Sequence, residues 1–296
     1  MKHNAPFIVA GTLALGALAC SFTFDLPSIG GGDADTGPLM SRELSIPIPE
    51  QEPADLRLAF AAGELDVAPG AEGNLVEGTA SWNIDQLEPD VQTEGRRVVL
   101  ASGQVENLTD LQFNFDLNFG QNVTNRWDLR LAAVPMDLTV SAGAYEGEFE
   151  LGGLSLRSLE VSSGASEVGI GFSEPNQIEM EEFRYNTGAS TVHLTNLGNA
   201  RFERLRFQGG AGEYILDMGD RLQREGEITI DAALSNIVLV IPQDMNVQMA
   251  VEGAAANVDL PDGFSRSGNR YTQEGSGPAL TIRIQIGAGE VEVRRP

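Results

Sequence analysis

From Leu56 to its C-terminus the chain alternates apolar and polar residues with a period of two, which is typical of half-buried strands. In "LRLAFAAGELDVAPGA", Leu56, Leu58 and Phe60 point one way, and Leu65 and Val67 resume the pattern after a small-residue turn. The segments "LVEGTASWNI", "RRVVLAS", "LQFNFDLNFG" and "NRWDLRLAAVP" are also strand-like and are separated by Gly, Asn, Pro and Asp. No long stretch has the helical period, so the pattern predicts an all-β protein.

A short phrase recurs in the second half, in which two or three small residues lead into an alternating stretch. The small-residue turns fall at Gly143, Ser166, Ser190, Gly212, Ser235, Ala256 and Gly289, and all but the last gap span 21 to 24 residues. An apolar pair recurs after six of the turns, at Val168 and Ile170, Val192 and Leu194, Tyr214 and Leu216, Ile237 and Leu239, Val258 and Leu260, and Val291 and Val293. This periodicity predicts a stacked-coil β-solenoid in which each coil packs on the previous one. The alternative is an antiparallel β-sandwich, which explains the alternation but not the repeated wording of the turns.

Glycine at these turns has a physical reason. It tolerates positive φ, and its lack of a side chain lets neighbouring backbones approach closely. The predicted structural turns are at Gly63, Gly143, Gly164, Gly188, Gly210, Gly212, Gly287 and Gly289.

The first twenty residues, "MKHNAPFIVAGTLALGALAC", have a basic start at Lys2, a short apolar run and small residues before Cys20. Such a run is too short to span a bilayer and indicates an export signal over residues 1–19. Small residues followed by Cys resemble a bacterial lipobox, which implies lipidation of Cys20. Cys20 is the single cysteine of the chain and therefore has no intramolecular disulfide partner. We expect an exported bacterial lipoprotein on the extracytoplasmic face of a membrane, including an outer membrane where the cell has one.

Residues 20–54 contain "SIGGGDADTGP" and "SIPIPEQEP", and this composition predicts a flexible tether. Residues 55–137 are predicted to form a less regular N-terminal β module, and residues 138–296 the repetitive solenoid.

The repeated phrase resembles the bacterial toast-rack domains, a family that includes adhesin-type domains and the C-terminal parts of LiaF-type cell-wall stress proteins. The resemblance rests on "AAGELDV" at 61–67, "GASEVGI" at 164–170, "GASTVHL" at 188–194, "GAGEYIL" at 210–216 and "GAGEVEV" at 287–293. "NLVEGTASW" and "NRWDLRL" further resemble the N-terminal toast-rack module. The resemblance extends from about Leu44 to Pro296 and implies stacked β-coils with no catalytic residues to transfer.

The formal net charge is −24, from 43 acidic and 19 basic residues, and Lys2 is the single lysine. This balance argues against nucleic acid as a partner, because phosphate neutralisation needs clustered Lys and Arg. It leaves an envelope protein or a glycan as the candidate partner and does not determine the oligomeric state.

Candidate chemistry is sparse, and the sequence predicts no catalytic residue, cofactor or metal site. His193 follows an inward-facing valine and lacks the nucleophile elbow that a hydrolase triad would need. Glu179, Glu181 and Glu182 form the one carboxylate group considered for glycoside hydrolysis. The aromatic residues of "FRYNTG" and "RFERLRFQGG" either stack on sugars or belong to the core.

The sequence therefore predicts a non-enzymatic envelope lipoprotein that presents a β-solenoid for adhesion, scaffolding or partner binding. One alternative is an envelope-glycan-binding or glycan-active β-helix protein. The other is an accessory module in cell-envelope stress sensing, which follows from the family resemblance.

Overall fold

A computed structural model describes residues 36–103, 122–253 and 255–296. Cys20, the predicted export signal and residues 20–35 of the predicted tether lie outside this part. The described chain consists of strands and two short 3-10 turns, Asp85–Leu87 and Leu197–Ala200. In chain order the strands are β1 Met40–Pro47, β2 Ala54–Pro69, β3 Asn74–Trp82, β4 Pro89–Glu94, β5 Arg97–Ser102, β6 Asn125–Leu131, β7 Pro135–Glu150, β8 Ser155–Gly171, β9 Met180–Thr195, β10 Phe202–Asp217, β11 Gly226–Val240, β12 Asn246–Glu252, β13 Ala255–Asp259, β14 Ser265–Ser267, β15 Arg270–Gln273 and β16 Ala279–Arg294.

Seven long strands form a parallel stack in the order β2, β7, β8, β9, β10, β11, β16. Equivalent residues of successive strands lie side by side, as in the row Ala144, Ala165, Ala189. This parallel, in-register pairing confirms the all-β stacked-coil prediction, since an antiparallel sandwich would reverse every second strand.

Each long strand changes its inward-facing phase near its middle. In β7, Val140 and Ala142 are buried before this point, and Tyr145 and Phe149 are buried after it. The interval from Ala142 to Tyr145 is odd, so one extra residue is inserted where the strand turns. We call this point the bend, the residues before it the upstream arm and those after it the downstream arm. Because both arms bury their inward residues in one core, the bend wraps each strand around that core.

The recurring apolar pairs occupy equivalent inward positions on the downstream arms. Ten of these twelve residues are buried, and Val258 and Leu260 are half-buried beside the core. The prediction that these pairs face inward is confirmed.

Both ends of the stack are built from shorter strands. At one end, β5 pairs with the upstream arm of β2 and β6 with its downstream arm, in place of one long strand. Antiparallel strands then cap this end: β4 pairs with β5, β3 pairs with β6, and β1 pairs with β3. At the other end, β12 and β13 divide one coil between the arms of β16, and the antiparallel hairpin β14–β15 caps β12.

Part of the predicted tether is an ordered strand. β1 pairs antiparallel with β3 and buries Leu44 and Ile46 against the core. The prediction of a flexible tether is therefore wrong for β1, because the alternating spacing of Leu44 and Ile46 places both side chains on the side of the strand that packs on the core. The other predicted boundary, at residue 137, stays a prediction.

The stacking order departs from the chain order at the C-terminal end. The expectation that each coil packs on the previous one is wrong here, because β16 lies between β11 and the β12–β13 coil. The antiparallel hairpin on β12 gives the physical reason. A strand added beyond that hairpin could not continue the parallel stack, so β16 pairs with β11 instead.

Candidate functional site

The eight glycines predicted to form structural turns lie at the bends of the long strands. All eight face a backbone carbonyl of the neighbouring strand so closely that a β-carbon would lie less than 3.0 Å from its oxygen. At Gly210 it would lie 2.3 Å from the oxygen of Gly188, and at Gly143 it would lie 2.3 Å from the oxygen of Ala61. Gly289 also has a φ of 138°, which side-chain-bearing residues rarely adopt. Their structural role stays a prediction.

A row of small residues crosses the bends beside these glycines. In pairing order the row contains Ala62, Ala144, Ala165, Ala189, Ala211, Leu234, Ala288 and Ala255. Leu234 is the exception in size, and its side chain is 62% exposed. The repeated Gly-Ala phrase does not predict this leucine, because "AALSNIV" departs from that phrase.

The outer surface of the upstream arms, which we call the upstream face, carries ion pairs between neighbouring strands. Arg184 contacts Glu160 at 3.2 Å and Glu182 at 2.6 Å, and Arg206 contacts Glu182 at 3.1 Å. Near the other end of this face, the half-buried pair of Arg57 and Arg97 holds the Asp55 carboxylate. The charges on this face are therefore largely compensated within the protein.

The outer surface of the downstream arms, the downstream face, is acidic. Glu64, Glu146 and Glu167 occupy one row on three adjacent strands, roughly 5 Å apart from strand to strand. Asp66 and Glu148 form a second row beside them. Arg126 contacts Glu64 and Asp66. Within the described residues, Glu146, Glu148 and Glu167 form no ion pair, so the row keeps uncompensated charge.

A trough of about 520 Å³ lies on this downstream face. Its floor includes Gly169 and Gly171, whose outward positions carry no side chain. Glu148 lies on one side of this floor, with Glu150, and His193 lies on the other side, with Thr195. A β-carbon at Gly169 would lie 2.5 Å from Oε2 of Glu148, so the glycine gives this carboxylate the space it occupies.

His193 is exposed on this face, as the alternation indicates. The described residues contain no group of three or more His, Cys, Asp or Glu side chains placed to bind a metal ion. Chemically, the trough can accept hydrogen-bond donors and positive charge.

The carboxylates considered for glycoside hydrolysis are engaged by arginines. Glu179 contacts Arg224 at 3.0 Å, and Glu181 contacts Arg157 at 3.5 Å. Together with Glu182 they belong to the ion pairs that bridge the strands, so no observation favours them as a catalytic pair.

The aromatic residues considered for sugar stacking are part of the core. Tyr185 and Phe207 stack with ring centroids 5.2 Å apart, and Phe207 contacts Tyr214 at 4.7 Å. All three are fully buried. Burial raises the pKa of Tyr185 to about 12, although hydrogen bonding to Ser163 acts in the opposite direction. Of the two roles left open for these side chains, core packing is the one that the structure supports.

None of the helices in the described part of the chain is long and apolar enough to cross a membrane.

Comparison with known proteins agrees with this architecture. Residues 35–181 match the family model described as the N-terminal domain of toast_rack, DUF2154. A crystal structure of a "putative cell adhesion protein" from Clostridium sporogenes aligns with a TM-score of 0.51 and 18% identity, covering 88% of this chain and all of that one.

Two more distant structures come from Parabacteroides distasonis. A "putative lipid binding protein" aligns with a TM-score of 0.38 and 11% identity, over 86% of this chain and 97% of that one. A "putative adhesin" aligns with a TM-score of 0.37 and 8% identity, over 87% of this chain and 97% of that one. No curated protein sequence matches the chain. The family match and the stack of bent parallel strands together show that the chain belongs to the toast-rack family.

Proposed function

We propose that the protein is a non-enzymatic adhesion-type protein of the bacterial cell envelope, which binds a basic partner through its stacked strands. The observation that carries this proposal is the unequal distribution of charge between the two faces. The upstream face pairs most of its acidic residues with arginines, whereas Glu146, Glu148 and Glu167 on the downstream face lack such partners among the described residues. A surface with uncompensated charge of one sign attracts partners of the opposite sign.

The net charge of −24 supports the same partner class. Long-range attraction increases the rate at which a basic protein or peptide meets the acidic face, and the trough beside Gly169 gives part of that face a concave shape. Exposed charges are screened beyond roughly 10 Å at 0.1 M salt. Binding through this face should therefore weaken as the salt concentration rises.

Membrane anchoring forms the second part of the proposal. The lipobox-like residues before Cys20 would direct lipid attachment to that cysteine, and the residues up to β1 would link the anchor to the stack. One acyl chain binds a membrane weakly, but bacterial lipoproteins of this kind carry several, which makes the attachment stable.

Cell fractionation of Cys20→Ser tests the anchor. We expect the variant to leave the membrane fraction. An unchanged distribution would show that another feature holds the protein at the membrane.

Crosslinking on intact cells tests the binding function. The triple variant Glu146→Gln, Glu148→Gln, Glu167→Gln removes charge from the downstream face, and Glu160→Gln, Glu182→Gln, Glu227→Gln is the matched control on the upstream face. We expect the first variant to lose crosslinked partners that the control retains. Equal crosslinking in both would contradict binding through the downstream face, and recovery of a membrane kinase or stress regulator would support the stress-sensing alternative.

A further inference from the structure

A second surface lies at the bends of the last coils and has an apolar floor and an acidic rim. A shallow groove of about 470 Å³ crosses β11, β16 and the end of β12 at this point. Ala232, Ala233, Ile286 and Gly287 are among the residues that form its floor, and Asp231 and Glu252 are on its rim. We call it the bend groove. It lies where the upstream and downstream faces meet.

Leu234 directly follows Ala233, a residue of the floor of the bend groove. Every other residue in its row across the bends is alanine, so a large side chain here is not a requirement of the bend. The exposed fraction of Leu234 is 62%, and contact with water gives an apolar side chain no stabilisation. Packing in the free protein therefore does not explain a leucine at this position.

The rim carboxylates are held at a fixed spacing. Asp231 pairs in register with Gln285, and Gln285 pairs with Glu252, so the two carboxylates are two strands apart, roughly 10 Å. Neither forms an ion pair within the described residues, and neutral Gln285 lies between them. A basic side chain placed over Gln285 would lie within reach of both carboxylates.

We propose that the bend groove binds an extended peptide segment of the partner in which an apolar residue and a basic residue are separated by one position. Ala233 follows Asp231 by two residues, which is roughly 7 Å along a strand. The same distance separates side chains on one face of an extended peptide. The apolar side chain would pack against Leu234 and the groove floor while the basic side chain is held by Asp231 and Glu252. This assignment rests on the proposed function and names the chemistry of the partner.

Peptide binding to the full chain in detergent provides the test. The labelled probe is Gly-Leu-Ser-Arg-Ser-Leu-Ser-Arg-Gly, and two further probes replace its arginines by glutamate or its leucines by serine. Leu234→Ala restores the residue found at the other bends, so we expect it to fold normally, with unchanged hydrogen exchange in β10, β11 and β16. We expect its affinity for the labelled probe to fall about tenfold, because the apolar contact is lost.

The double variant Asp231→Asn, Glu252→Gln should also weaken binding of the labelled probe, and it should reduce the dependence of that binding on the salt concentration. Its matched control, Glu160→Gln, Glu182→Gln, removes the same charge from the ion pairs of the upstream face and should change the affinity less than twofold. The glutamate and serine probes should bind the unmodified chain at least tenfold more weakly than the labelled probe.

Three results would overturn the assignment. The first is equal binding of all three probes, and the second is an equal effect of the two double variants. The third is that Leu234→Ala loses self-association and not peptide binding, which would indicate that a second copy of the chain occupies the groove. Any of them would leave the crosslinking result for the downstream face unaffected, so failure of this assignment is distinguishable from failure of the proposed function.

Discussion

Replacing Gly210 by valine is expected to damage the stack locally through a backbone collision. The β-carbon would lie 2.3 Å from the carbonyl oxygen of Gly188, about 1 Å closer than an ordinary contact between non-bonded heavy atoms. The strand β9 has little space to move away, because a β-carbon at Gly188 would itself lie 2.7 Å from the oxygen of Gly164. The displacement would therefore be passed along the bends toward β8.

The free-energy cost follows from this geometry. Forcing extra atoms into a well-packed site typically destabilises a protein by about 1–3 kcal/mol. Valine is branched at its β-carbon and has few rotamers with which to avoid the oxygen, so we expect a cost toward the upper end of that range. In a stack of coils, each strand depends mainly on its neighbours. The loss of protection should therefore centre on β9, β10 and β11, and β1 to β6 should stay protected.

Hydrogen exchange measured strand by strand tests this expectation. Ala211→Val is the matched control, because Ala211 is exposed and Leu234, its neighbour in register, shows that this row accepts a large side chain. The control should leave exchange rates nearly unchanged. Uniformly faster exchange along the whole chain in Gly210→Val, or equal damage by both variants, would refute the explanation based on close backbone approach at the bends.

Two further predictions concern pH. Burial raises the pKa of Asp55, but hydrogen bonds from Arg57 and Arg97 outweigh this effect and hold the pKa below its ordinary value of 3.8. Ionised Asp55 therefore stabilises the fold above about pH 4, and this stabilisation is lost as the pH falls through the lowered pKa. Urea unfolding of Asp55→Asn should thus show a deficit of about 1–3 kcal/mol at pH 7 that shrinks as the pH falls through the lowered pKa; a deficit that stays constant as the solution is acidified would contradict the ion-pair explanation. Burial raises the pKa of Tyr185 to about 12, so the neutral side chain is favoured in the folded protein. Its contribution to the stability of the fold is present below pH 10 and is lost as the pH rises toward 12. Between pH 10 and 12, Tyr185→Phe should lose less stability than the unmodified protein, and parallel curves would count against this assignment.

Local alternation was sufficient to predict the strands and the direction in which their side chains point. Val192 and Leu194, for example, are fully buried because a period of two assigns them to one side of β9. The spacing of the turns also predicted the register, that is, which residues of neighbouring strands lie side by side. Glu146 and Glu167 are 21 residues apart, one repeat, and this is why they are neighbours on the downstream face.

Non-local pairing could not be predicted in the same way. The pattern of β16 resembles that of every other coil, and nothing within it specifies that it pairs with β11 rather than with the preceding coil. That choice depends on the antiparallel hairpin β14–β15, whose residues alternate too briefly to be recognised as a cap. Leu234 was missed for a different reason, since its exposure depends on the bend and not on its place in the alternation.

The acidic row on the downstream face carries a stability cost that its counterpart on the upstream face avoids. Adjacent like charges in register, such as Glu146 and Glu167, destabilise a sheet by roughly 0.2–1 kcal/mol. On the upstream face the arginine of one strand relieves the same problem, as Arg184 does beside Glu160. We therefore expect Glu146→Gln to stabilise the free protein slightly, by a few tenths of a kcal/mol at low salt, while it weakens binding of a basic partner. Urea unfolding at two salt concentrations, combined with crosslinking on cells, would measure both effects. A variant that is less stable than the unmodified protein would mean that Glu146 has a stabilising contact within the fold, and the argument that its charge serves binding would then fail.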